Sequence, residues 1–293
     1  MHGALTLVQG VLWVARPLAR VTHAPFDLDG RPLARGFRVR GFDGARAEFG
    51  ALAADVDRRI WCADEQGRAL RAFNVFGSEL FTWRDAHVPE QDRAGHLGAP
   101  VGVAAAGIES DLRLVVASRG ERRHALHCVD PEERTARSLR PLGDPNERFR
   151  RLAGVATNGR FIAVCEPGAA RVQVYRDGEF HFAFRCPPAP GSNAVFEPRA
   201  LALLDDGRMV VAQGGERSAV LLVAGDGRLQ RVLAEGGVDA GSVFEPSALA
   251  VEPGTSDATT RVPVIDRDGD RVQVFTLDGR CLGAFLDPAQ ASV

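Results

Sequence analysis

Apolar residues in this chain fall in short runs broken by Gly, Asp and Pro, and the runs recur in register. Phe196-Glu-Pro-Arg-Ala-Leu-Ala returns 48 residues later as Phe244-Glu-Pro-Ser-Ala-Leu-Ala, and Arg171-Val-Gln-Val-Tyr175 returns as Arg271-Val-Gln-Val-Phe275. These anchors define columns through the whole chain. The first is small–branched–small, starting at Ala4, Ala51, Gly102, Gly154, Ala200 and Ala248. The second is a continuous apolar run, starting at Leu12, Ile60, Leu114, Ile162, Met209 and Val262. The third holds Phe26, Phe73, Cys128, Tyr175, Val223 and Phe275, in steps of 47, 55, 47, 48 and 52 residues. Asp-Gly follows it at Asp29-Gly30, Asp177-Gly178, Asp226-Gly227 and Asp278-Gly279, and each unit then ends in another short apolar run.

No segment keeps a helical period over three turns, and Asp-Gly between apolar runs is a strong hairpin signal. Each unit therefore reads as four short antiparallel strands. Six such units at this period predict an all-β, six-bladed β-propeller. Small residues in the first column suit inner strands that converge on an axis, and continuous apolar second runs suit sheets covered on both faces. The columns predict one domain over 1–286, with blades at about 1–41, 42–92, 93–146, 147–193, 194–241 and 242–286, and a tail at 287–293. Residues 4–15 match both strand columns, which reads them as first-blade strands and not as a removed leader. Only three residues precede Ala4, so the ring is expected to close by packing blade one on blade six, without strand exchange.

The succession Phe-x-x-Pro-x-x-Leu-Ala, Val-x-Asp, Arg-Val-Gln-Val-Phe and Asp-Gly resembles the NHL repeat. The likeness is sharp in 244–285, good in 149–233, and reduced to column spacing in 1–146. It implies a six-bladed propeller that serves as a binding platform for proteins or RNA. Some similar propellers are lyases of peptidyl-hydroxyglycine, or gluconolactonase-like enzymes with a divalent metal. The resemblance also implies a carboxylate–Arg pair five residues apart across the second-to-third strand loop. Asp266–Arg271 and Glu166–Arg171 supply it, as structural ties of one loop. The other blades offer Arg16/Val21, Asp64/Ala69, Ser118/Arg123 and Gln213/Ser218.

Composition narrows the chemistry. The 36 basic residues are all Arg, so Lys nucleophiles and Schiff bases are excluded. Against 38 acidic residues they leave −2 at pH 7, which excludes a strongly basic nucleic-acid protein. Five Cys without a CxxC spacing do not make a disulfide framework or zinc ribbon, which points to a reducing, cytoplasmic setting. No apolar run is long enough to span a membrane. Cys62 falls in a column of Val14, Val116, Val164, Val211 and Val264, and Cys165 and Cys128 also sit at core positions, so these thiols read as small hydrophobes.

Asp266, Asp268 and Asp270 alternate around a Gly and could ligate Ca²⁺, but no downstream bidentate Glu completes the loop. No other cofactor is expected. His124 and His127 are three apart on a strand and point to opposite faces. The longest inter-blade insertion, Trp83 to Ala99, carries Trp83, Arg84, His87, Arg93 and His96. With Arg119, Arg122 and Arg123 of the next blade it is expected to form a binding face with one aromatic anchor and several guanidinium groups. The expected function is a non-catalytic, monomeric platform for a protein or peptide, acidic in character, with RNA a lesser fit for want of aromatic platforms. The alternative is a metal-dependent hydrolase or lyase with its site at the channel mouth.

Overall fold

The computed structural model describes residues 4–15, 24–34, 36–44, 47, 49–84, 97–107, 112–120, 124–144, 146–185, 195–266 and 271–285. Six antiparallel sheets follow one another along the chain. The first holds Ala4–Val8, Val11–Ala15 and Ala24–Phe26; the second Ala51–Ala54, Ile60–Asp64, Ala69–Phe73 and Glu79–Arg84. The third runs Ala99–Ala106, Arg113–Arg119, His124–Asp130 and Thr135–Ser138; the fourth Val155–Thr157, Phe161–Glu166, Arg171–Arg176 and Glu179–Phe184. The fifth is Pro198–Leu203, Met209–Gln213, Ala219–Val223 and Leu229–Ala234, and the sixth Pro246–Leu249, Arg261–Asp266, Arg271–Thr276 and Cys281–Phe285. This is the six-bladed propeller that the columns predict. Among the described residues the first blade shows three strands; Pro32, which has no N–H for a ladder, only bridges Phe26.

The core is a ring of apolar seams, one between each pair of neighbouring blades. Alternation along a strand sends successive side chains to opposite seams. Val210 and Ala212 pack toward blade six, while Met209 and Val211 pack toward blade four. The column of Val14, Cys62, Val116, Val164, Val211 and Val264 faces the preceding blade in every repeat. Closure follows the same rule. Leu5, Leu12 and Val14 of blade one pack on Ile265 and Val272 of blade six, and no described sheet mixes strands from both ends. Among the described residues no helix is long and apolar enough to cross a membrane.

One column member is displaced. Leu114 pairs with Val129, and Cys128 pairs with Val115. Val129 therefore takes the third-column position, 4% exposed, and Cys128 turns to the other face and is partly buried. A one-residue slip in a strand flips every side chain. The same register sets Ala125, not Arg123, opposite Ser118; in blade five, where the column is not displaced, Ala219 and not Ser218 stands opposite Gln213.

Candidate functional site at the channel mouth

The inner strands enclose an axial cavity of about 440 Å³. Small residues, Ala4, Ala51, Gly154, Ala200 and Ala248, let the strands converge, and branched neighbours such as Leu52, Val103, Val155, Leu201 and Leu249 border it while packing into the blade seams, so its lining is mixed polar and apolar. Glu65, Arg119 and Pro167, which end or follow second strands, border it. So do Arg151 and Glu197, which precede inner strands. The cavity thus opens on the face that carries the second-to-third strand loops and the inter-blade connections.

A repeated backbone device aims side chains into this mouth. In blades three, five and six the first ladder shifts register between Pro100 and Gly102, Pro198 and Ala200, and Pro246 and Ala248. The residue between is a β-bulge, which leaves the ladder and redirects its side chain. Val101, Arg199 and Ser247 are those residues, and all three line the cavity. The Pro of the Phe-Glu-Pro motif stands immediately before the bulge in blades five and six.

Charged pairs rim the cavity across blade boundaries. Arg119 Nη1 lies 2.7 Å from Glu65 Oε1, joining blades three and two. Arg151 Nη2 donates to Glu197 Oε1 at 2.7 Å, joining the connections into blades four and five. Arg199 approaches Glu197 at 3.4 Å and pairs closely with Glu245 at the entry to blade six. His124 pairs in the ladder with Arg119. Burial first, then the positive field of Arg119, holds its imidazole below the usual histidine range.

Behind the rim, buried carboxylates tie the connections to the blades. Glu166 accepts from the Arg150 N–H at 2.6 Å, from Arg171 Nε, and from Gln173 Nε2 at 2.7 Å. Asp266 accepts from the Phe244 N–H at 2.9 Å and from Arg271 Nη2 at 3.1 Å. Blade two solves the same problem differently. Asp64 faces Ala69, and the guanidinium comes from Arg71, two positions on and in the slot of Gln173 and Gln273. Arg71 Nη1 lies 3.5 Å from Asp64 Oδ2, and Arg71 also holds Glu79 through Nε and Nη2 at 2.8 and 2.9 Å. Its guanidinium sits 4.9 Å from the Phe42 ring centre and 5.0 Å from that of Phe73. Burial raises the Asp64 carboxyl against the opposing Gly67 and Arg71 contacts. Burial would raise Glu79 too, but the hydrogen bonds from Arg71 and Thr82 outweigh it and lower its pKa.

The expected binding face is only partly assembled. Trp83 is not an exposed anchor: it is 2% exposed, pairs with Leu70, and packs in the seam between blades two and three. Its position ends an outer strand, so its ring turns inward. Arg84 stacks on Phe42, 3.9 Å from the ring centre. Arg119 is at the mouth. His87, Arg93, His96, Arg122 and Arg123 lie outside the described residues, as do Asp268 and Asp270. The remaining member of that acidic triplet, Asp266, is fully buried and already engaged by Arg271 and the Phe244 N–H. Among the described residues no group of three or more His, Cys, Asp or Glu could hold a metal ion. Sequence reading missed Glu197 and Arg199 as mouth residues. The signal for Arg199 was the slot between Pro and the small inner-strand residue, which varies while its neighbours repeat.

No family model matches the chain, and no curated protein matches it, so the NHL signature stands as a resemblance. Solved structures share the fold. Virginiamycin B lyase from Staphylococcus aureus aligns with a TM-score of 0.61 at 12% identity, over 97% of this chain and 83% of that one. A streptogramin B lyase aligns with a TM-score of 0.60 at 13% identity, over 97% and 82%. A protein of unknown function from Bacteroides caccae aligns with a TM-score of 0.55 at 14% identity, over 99% and 94%. At these identities the likeness speaks for the six-bladed propeller alone.

Proposed function

We propose that this propeller is a non-catalytic binding platform of the NHL-like kind, and that a protein or peptide docks on the loop face around the channel mouth. One observation carries the reading. Side chains from separate blades converge as charged pairs on the rim of an axial cavity of about 440 Å³, within the size range of ligand pockets. A rigid ring of packed blades holds these groups, and recognition on rigid scaffolds is concentrated at such loop-borne positions. The test begins with affinity capture of a partner from the native cell. Its dissociation constant is then measured against the wild-type chain and an Arg119→Glu/Arg151→Glu variant with unchanged thermal unfolding. A loss of tenfold or more is expected; equal affinity would place the partner elsewhere.

A second reading, a hydrolase or lyase at the same mouth, draws support from His124, an imidazole held neutral beside Arg119. Metal analysis of protein purified without chelators separates the two. Stoichiometric divalent metal favours the enzyme.

A further inference from the structure

We propose that the channel mouth recognises a carboxylate joined to an apolar group, as at the end of a peptide chain. The carboxylate would lie on the guanidinium groups of Arg119 and Arg151, and the adjoining apolar side chain would enter the axial cavity. This rests on the platform reading and narrows it to a ligand class.

The sign of the charge follows from layering. The Arg119 and Arg151 side chains are 53% and 57% exposed, whereas their partners Glu65 and Glu197 are 38% and 27% exposed. Glu197 is also shared with Arg199. The mouth therefore presents guanidinium outward and keeps carboxylate beneath. A guanidinium carries five N–H donors in a planar fork that matches a carboxylate. Among the described residues Arg119 uses Nη1 toward Glu65, and Arg151 uses Nη2 toward Glu197. The other donors remain for a ligand. The glutamates also fix the Arg rotamers before binding, which lowers the ordering cost of recognition.

The second half of the ligand follows from the cavity. Below the charged rim the lining is mixed, and its aliphatic part comes from Leu5, Leu52, Val103, Val155, Leu201 and Leu249 beside a comparable polar surface. An apolar side chain entering it would release water from that wall. No aromatic ring lines the cavity among the described residues, so stacked bases have no platform there, and a peptide fits better than single-stranded RNA.

The test uses three probes on the full chain: acetyl-Gly-Ala-Leu with a free C-terminal carboxylate, the same peptide as its amide, and acetyl-Asp-Ala-Leu amide. Binding is followed by NMR titration to millimolar concentration. The free acid is expected to bind at least tenfold more tightly than its amide. Binding by the Asp peptide as well would assign the carboxylate to an acidic side chain as readily as to a chain end. Arg119→Gln/Arg151→Gln is expected to abolish the preference. Glu65→Gln, which releases Arg119, should keep or strengthen it, an outcome that a merely structural ion pair would not give. If the double variant does not fold, the acid-versus-amide comparison on the wild-type chain decides. Equal affinity for acid and amide, no saturable binding of either carboxylate probe, or tighter binding of oligo(U) than of the free acid would overturn the inference. A protein partner that binds undiminished while the free acid fills the channel would also overturn it, yet would leave the platform reading standing.

Discussion

Replacing Gly154 by Ala tests whether the inner strands converge as tightly as described. Gly154 opens the inner strand of blade four. A Cβ there would lie 2.7 Å from the Ala200 Cα and 2.8 Å from the Arg199 carbonyl oxygen. Both are backbone atoms of blade five, so no side chain can swing aside. The Gly154 N–H donates to that same carbonyl at 2.8 Å, and a shift that relieves the methyl would strain this inter-blade hydrogen bond. The backbone at Gly154 is not left-handed, so Ala would be favoured by about 0.4–1 kcal/mol through the unfolded chain alone. Overpacking a well-packed site costs about 1–3 kcal/mol. The expected net loss is about 1–2 kcal/mol, a fall in Tm of roughly 2–3 °C for a chain of this size. Urea and thermal unfolding measure it. Gly283→Ala is the control, since nothing lies within 4 Å of a Cβ there, and its effect should stay within about 0.5 kcal/mol. The repeat alone argues the opposite, because four blades already carry Ala in this column, at Ala4, Ala51, Ala200 and Ala248. A Gly154→Ala protein as stable as wild type would refute the close approach and vindicate the column.

Three further outcomes are expected. Glu166→Gln removes a fully buried partner of Arg171 and should cost about 3–5 kcal/mol in urea unfolding; a loss below about 1 kcal/mol would show that the pair does not tie the loop. Val211→Ala, in the seam of blades four and five, should cost about 1–3 kcal/mol, while Cys62→Val should stay within about 1.5 kcal/mol because five blades use Val there. His124 has a folded-state pKa below the ordinary 6.5, so the unfolded chain binds its proton more readily. Its contribution to stability is complete above 6.5 and is lost as pH falls toward the folded-state value. NMR titration gives the pKa, and His124→Gln should flatten the stability slope in that window.

The architecture was legible because a propeller repeats the same packing problem six times. One column, Val in five blades and Cys62 in the second, faces the preceding blade in every repeat, so each copy corroborates the others. Legibility failed where local pattern was ambiguous. In His124–Asp130 both Cys128 and Val129 are apolar, and only the pairing of Leu114 with Val129 decides which points inward. Trp83 stands beside polar residues and reads as a loop anchor, yet the ladder to Leu70 turns it into the core. Arg71 was invisible as an ion-pair partner because the family spacing expects the guanidinium at position 69. A cation two positions along a strand points to the same face and reaches the same carboxylate.

The mouth residues were hidden for a different reason: a bulge, and not the strand period, sets where they point. Strict alternation would send the residue after Pro198 into a blade seam. The Pro cannot donate to the ladder, the register slips by one, and Arg199 is released toward the axis. The same slot holds Gly50, Val101, Ala153 and Ser247 in other blades, and each of them borders the cavity. Its neighbours barely change, Pro or a loop residue on one side and Ala or Gly on the other, while the slot ranges from hydrogen to guanidinium. Packing fixes the neighbours, because the inner strands must converge; the slot itself tolerates more, although Val101 and Ala153 still pack against the blade seams. A position that varies from blade to blade, and that a bulge aims at the cavity in blades three, five and six, is where a repeat scaffold can carry recognition. Arg199 and Ser247 at adjacent slots make the ring of slots asymmetric, polar on blades five and six and without a polar side chain at Gly50, Val101 and Ala153, while the Arg119–Glu65 pair charges the rim at blades two and three. That asymmetry suits a ligand with one charged end and one apolar end.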